Sequence, residues 1–151
     1  MIYADTSFLA ACYLDDAHTE KALTYLEKHE PRLPFLFLHW PELAKAVTTA
    51  SPDAENDWDT IRQDVAAGQK LHTETVDAER TGKRAAGLLR NFCPRWKKLR
   101  SLDAMHVAAA VELGCKTFLS FDTASFQRVL AATQKLVVWP PLTEDEKARL
   151  K

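Results

Sequence analysis

Ser101-Leu-Asp-Ala-Met-His-Val-Ala-Ala-Ala-Val-Glu-Leu-Gly114-Cys-Lys-Thr-Phe-Leu-Ser-Phe-Asp122 decides how this chain folds. It reads as a helix, a glycine stop and a short apolar strand, with one carboxylate near the start and another at the end. Ser101 suits the N-cap, and Asp103 the first turn, where the helix dipole favours negative charge. Leu102, Met105, Ala109 and Val111 leave His106 and Glu112 as the polar positions beyond that turn, so a largely buried helix is expected. Gly114 fits the left-handed position that ends a helix, and Thr117-Phe-Leu-Ser120 has strand length and chemistry. A helix that returns through a tight turn to a strand is half of a βαβ unit, and so part of a parallel sheet.

The same grammar runs through the rest of the chain. Met1-Ile-Tyr-Ala is a short apolar run ending at Asp5-Thr-Ser7, followed by Phe8, Leu9 and Cys12 at helical spacing. A second helix is expected from Asp15-Asp16 to His29, and Glu30-Pro-Arg-Leu-Pro34 reads as a loop. Phe35-Leu-Phe-Leu38 is the next buried strand, and Pro41 opens a helix that carries Glu42 in its first turn. Further helices are expected after Ser51-Pro-Asp53, over Asp77 to Phe92 and over Ala124 to Ala132. Lys70–Glu74 and Leu136–Trp139 supply strands. Pro140-Pro141 ends the fold, so the reading is one domain over residues 1–142 with a polar tail over 143–151. The order is alternating α/β.

At 151 residues with a net charge of −1, composition excludes neither nucleic acid nor small-molecule partners. The charge is unevenly placed. Acids dominate from Asp53 to Glu79, whereas Arg80, Lys83, Arg84, Arg90, Arg95, Lys97, Lys98 and Arg100 follow without a single acid among them. Cys12, Cys93 and Cys115 have no paired spacing, which argues against a disulfide framework or a zinc site and for a reducing cytoplasm. The first residues lack a basic leader, and no apolar run has the length of a membrane span.

In a parallel sheet with helical crossovers, strands end and return helices begin at the same edge, where such sheets bind ligands. Asp5 and Asp122 close strands; Glu42 and Asp103 open helices. All four are therefore expected at that edge. Taken singly each is an ordinary cap, Asp5 above all. Taken together, they have no Lys or Arg within two residues of any of them to neutralise them. Two carboxylates about 4 Å apart repel by roughly 4 kcal/mol at an effective dielectric near 20. Such a group must protonate or hold a cation, and all-oxygen ligation favours Mg²⁺ or Mn²⁺ over zinc. A hard cation with water in its open positions suits phosphate chemistry.

Ala4-Asp-Thr-Ser-Phe-Leu9, Pro41-Glu-Leu-Ala-Lys-Ala-Val47, Leu102-Asp-Ala-Met-His-Val-Ala-Ala-Ala110 and Phe118-Leu-Ser-Phe-Asp122 resemble the successive motifs of PIN domains. Within these the chain is most similar to VapC-type toxins of toxin–antitoxin pairs. The resemblance implies a three-layer α/β/α sandwich with a short central parallel sheet, and a metal-dependent endoribonuclease using one or two Mg²⁺ or Mn²⁺ ions. It also implies a homodimer held by a cognate antitoxin. Asp5, Glu42, Asp103 and Asp122 match the family's acidic quartet, and Ser7 and Ser120 match its supporting hydroxyls.

The candidate RNA track is the basic run: Lys and Arg for phosphates, Trp96 for stacking on an unpaired base. The competing reading of Arg80, Lys83 and Arg84 is a solvated helix face paired with the acidic helix before it. For Trp96 it is core or an interface; for His39 and His106 it is a hydrogen-bonded structural role. Two other functions stay open at this point. One is a PIN nuclease that processes RNA or cuts DNA without an antitoxin. The other is a non-catalytic binding module whose acids are caps.

Overall fold

A computed structural model describes residues 1–151. It divides the chain into two compact units, Ile2–Thr75 and Val76–Lys151, the second also taking in Met1.

Ile2–Thr75 contains β1 (Ile2–Ala4), α1 (Thr6–Tyr13), α2 (Thr19–His29), β2 (Leu33–Phe35), α3 (His39–Ala50), α4 (Ala54–Ala67) and β3 (Leu71–Thr73). β2 and β3 pair in parallel, Leu33 opposite Leu71 and Phe35 opposite Thr73. The strand lies earlier than Phe35–Leu38 because it contains Pro34. The Leu33 amide donates to the Lys70 carbonyl and the Phe35 carbonyl accepts from the Glu74 amide, so this edge never calls on the N–H that proline lacks. Leu36 then leaves the ladder to close the turn into α3. Tyr3, Phe8, Leu9, Phe35, Leu43, Val47 and Ile61 form the buried apolar centre. Gly68 ends α4 at φ 67°, a left-handed conformation that costs glycine little.

Val76–Lys151 contains α5 (Ala78–Phe92), α6 (Ser101–Glu112), β4 (Thr117–Leu119), α7 (Gln127–Thr133), β5 (Val137–Trp139) and α8 (Glu144–Leu150). β4 and β5 are parallel, Thr117 opposite Val137 and Leu119 opposite Trp139. As its composition requires, α6 is buried on most sides, through Ala104, His106, Val107, Ala108, Ala109 and Ala110. Gly114 follows it at φ 70°. The N-cap is Arg100 rather than Ser101. Asp103 reaches back to the Arg100 amide, satisfying a donor at the helix start.

Glu144–Leu150 is helical, where the sequence reads as a polar tail. Arg128, 1 % exposed, makes a buried ion pair with Glu146 of α8 and donates to the carbonyls of Ser120, Pro140 and Pro141. Thr143 and Glu146 cap α8 reciprocally. A buried charge left without its partner costs several kcal/mol, so α8 is tied into this unit by Arg128. No helix is long and apolar enough to cross a membrane.

Candidate active site

In Ile2–Thr75, Asp5 sits between β1 and α1, buried at 3 % exposure. Its Oδ1 accepts from the Phe8 amide at 2.9 Å and from the Ser7 hydroxyl at 2.7 Å. Glu42 is half-buried in the first turn of α3, and the Thr6 hydroxyl donates to its Oε1 at 3.1 Å. Thr6 thus links the residue after the first acid to the second acid, a role its sequence position did not single out.

Behind these two lies His39, fully buried and flanked by the rings of Tyr3 and Phe35. Its Nδ1 accepts from the Leu36 amide at 2.9 Å, and its Nε2 lies 2.9 Å from the Ala4 carbonyl. One imidazole fixes the residue before Asp5 against the turn that starts the Glu42 helix.

In Val76–Lys151, the other two acids meet around one guanidinium. Arg100 Nε donates to Asp103 Oδ2 at 2.9 Å, and its Nη2 to Asp103 Oδ1 at 3.1 Å and to Asp122 Oδ2 at 3.0 Å. Asp122 Oδ1 accepts from the amides of Ala124 and Ser125, and the Ser120 hydroxyl accepts from the Asp122 amide. These local bonds delay α7, which begins at Gln127 and not at Ala124. The sequence places no cation within two residues of these acids; Arg100, three residues before Asp103, supplies one. No three Asp, Glu, His or Cys side chains gather as a group that could hold a metal ion. The donor set itself fits a hard divalent ion. It offers oxygen only, and the buried Asp103 already holds a positive charge.

The basic run is largely engaged elsewhere. Arg80 and Arg84 of α5 both pair with Glu112 of α6, not with the acidic helix before them. Hydrogen bonding from Arg84, reinforced by Arg80, holds the Glu112 carboxyl below its ordinary range. Lys83 pairs with Glu79 on the exposed face of α5. Arg95 donates to the Arg149 carbonyl at 2.8 Å and lies over the Trp96 ring. Trp96 is 3 % exposed, stacked between Phe92 at 4.7 Å and Phe126 at 5.4 Å. Both its faces are covered, so it cannot serve as a base platform. Its burial follows from the two aromatics spaced to flank it. Arg90, Lys97 and Lys98 are exposed, with no ion pair.

Cys12 offers no nucleophile. All three cysteines are free, and burial pushes the Cys12 thiol up to about 12.

The family model described as "PIN domain" matches residues 2–131. The chain belongs to the PIN domain family. The match takes in β1 through most of α7, so all four acids lie within the PIN region. Among solved structures, the crystal structure of Mycobacterium tuberculosis VapC20, described as a sarcin-ricin loop cleaving toxin, is similar. It has a TM-score of 0.64 and 20% identity over 88% of this chain and 95% of that one. At that identity the likeness is one of fold, and it bears out the α/β PIN architecture. No curated protein matches the chain by sequence.

Proposed function

We propose that this PIN domain is a metal-dependent endoribonuclease and the toxin of a toxin–antitoxin pair. The observation that carries the reading is the meeting of Asp103 and Asp122, from the start of α6 and the loop after β4, on one positive charge. Acids that served only as caps would need no shared cation. Further support comes from Asp5 and Glu42, which hold the corresponding strand-end and first-turn stations in the other unit. The VapC20 toxin shares the fold.

In this reading Asp5 and Asp103 would hold the metal, and Glu42 and Asp122 would complete the site. A bound Mg²⁺ or Mn²⁺, as one ion or two, supplies charge neutralisation at the phosphoryl oxygens and a lowered pKa for water. Glu42 orients the attacking water and accepts its proton, held in position by the Thr6 hydroxyl. Ser7 restrains the Asp5 carboxylate, and Ser120 the backbone at Asp122. Attack by water at phosphorus leaves a 5′-phosphate and a 3′-hydroxyl, with no chemical part for the substrate 2′-OH. Arg90, Lys97 and Lys98 are the cations available to RNA phosphates. The protein acts in the cytoplasm as a homodimer restrained by its antitoxin.

The experiment is sequencing of RNA 5′ ends from cells expressing the wild type and Asp5→Asn. Discrete new 5′-phosphate ends, with growth arrest, are expected for the wild type and neither for the variant. New ends without growth arrest would favour an RNA-processing nuclease. Identical RNA from both strains would leave the binding-module reading standing.

A further inference from the structure

We propose that Arg100 is an exchangeable internal cation: it holds Asp103 and Asp122 until a divalent ion displaces it, and so sets the metal affinity of the acidic site. The inference rests on the nuclease reading, since it concerns the same carboxylates.

The oxygens involved are the ones a metal would need. Arg100 occupies both oxygens of Asp103 and the Oδ2 of Asp122. The remaining Asp122 oxygen is committed to the amides of Ala124 and Ser125. A dication on those carboxylates would sit at contact range of the guanidinium, and like charges at that range exclude one another. The two partners differ in freedom. The Asp103 side chain is 6 % exposed, whereas that of Arg100 is 65 % exposed. The carboxylate is therefore fixed by its surroundings, and the guanidinium has solvent to swing into on its long stem. Pairing with a side chain so exposed is weak enough to be reversed by a competing ion. The planar fork nonetheless covers two carboxylates at once, as a lysine at the same place would not.

Without metal, the arrangement removes the repulsion between Asp103 and Asp122. With metal, it releases a guanidinium at the rim of the site, where a phosphate of the substrate would lie.

The test is Mn²⁺ titration calorimetry on the full chain, comparing wild type with Arg100→Gln, Arg100→Lys and the double variant Lys97→Gln/Lys98→Gln. Arg100→Gln should bind Mn²⁺ about 3- to 10-fold more tightly, with Arg100→Lys between it and the wild type. The double variant removes more charge from the same loop without touching either acid, and should change affinity by less than about twofold. In EDTA, the thermal midpoint of Arg100→Gln should lie below that of the wild type, and Mn²⁺ should raise it further than it raises the wild type. Affinity of Arg100→Gln no better than wild type overturns the proposal alone. So does an equal gain in the double variant, because the effect is then the general field and not the contact. Absence of Mn²⁺ binding in wild type and Arg100→Gln alike would overturn the nuclease reading together with it.

Discussion

The two ring nitrogens of His39 face main-chain groups of opposite kind. The Leu36 amide has only a hydrogen to offer, so Nδ1 must be bare; Nε2 then carries the proton and donates it to the Ala4 carbonyl. Both partners belong to buried residues. Replacing the ring by a methyl group strands a donor and an acceptor away from water and opens a cavity between Tyr3 and Phe35. His39→Ala should therefore cost about 2–4 kcal/mol in urea unfolding, and His39→Gln, which keeps one donor and one acceptor, distinctly less. Equal losses in the two variants would mean that packing, and not hydrogen bonding, is what the ring contributes. At this scale the sequence shows the acids well, because strand-end and first-turn positions are visible in the pattern. It hides Arg100. Beside Lys97 and Lys98 that residue reads as one more phosphate contact, and only its spacing to Asp103, one helical turn on, signals that it folds back. It hides Trp96 in the opposite way, since a basic loop gives no hint that Phe126 comes to cover the second face.

Between α5 and α6, Glu112 gathers Arg80 and Arg84 from the neighbouring helix. Its carboxyl is held below the usual range, so the unfolded chain binds its proton more readily than the folded one. The stabilisation is thus complete above the unfolded carboxylate pKa, about 4.3, and is lost as pH falls through the lower folded value. Thermal midpoints of the wild type should fall as pH is lowered from about 5 to 3, and Glu112→Gln should show a shallower fall over that window. Parallel slopes would show that the contact carries no net energy. The two arginines are substantially exposed, so salt should weaken the effect. Elements as such are legible where periodicity is strong, as in α3 and α5, or where an apolar run is long, as in α6. Their ends are not, because side chains decide them. Pro34 joins β2 because its ladder edge needs no N–H there. Asp122 and Ser125 take the amides that would have started α7 earlier. α8 escapes a reading by composition because one buried residue, Arg128, makes a place for Glu146, and that pairing is nonlocal.

For the whole molecule, alternation of strands and helices was enough to indicate a parallel α/β protein, and membership of the PIN family agrees with it. The acids, however, come as two pairs on two compact units. Asp5 and Glu42 are organised by Thr6 and His39, Asp103 and Asp122 by Arg100. Each pair is intelligible from its own unit. In the proposed function one ion would draw on both pairs, and this is the central claim. A double-mutant cycle on Mn²⁺ affinity tests it most directly, using Asp5→Asn, Asp103→Asn and the two combined. If the pairs share an ion, each single change should weaken binding by about tenfold or more, and the double variant should lose clearly less than the product of the two. Asp5→Asn binding Mn²⁺ as the wild type does, or strictly multiplicative losses, would contradict it.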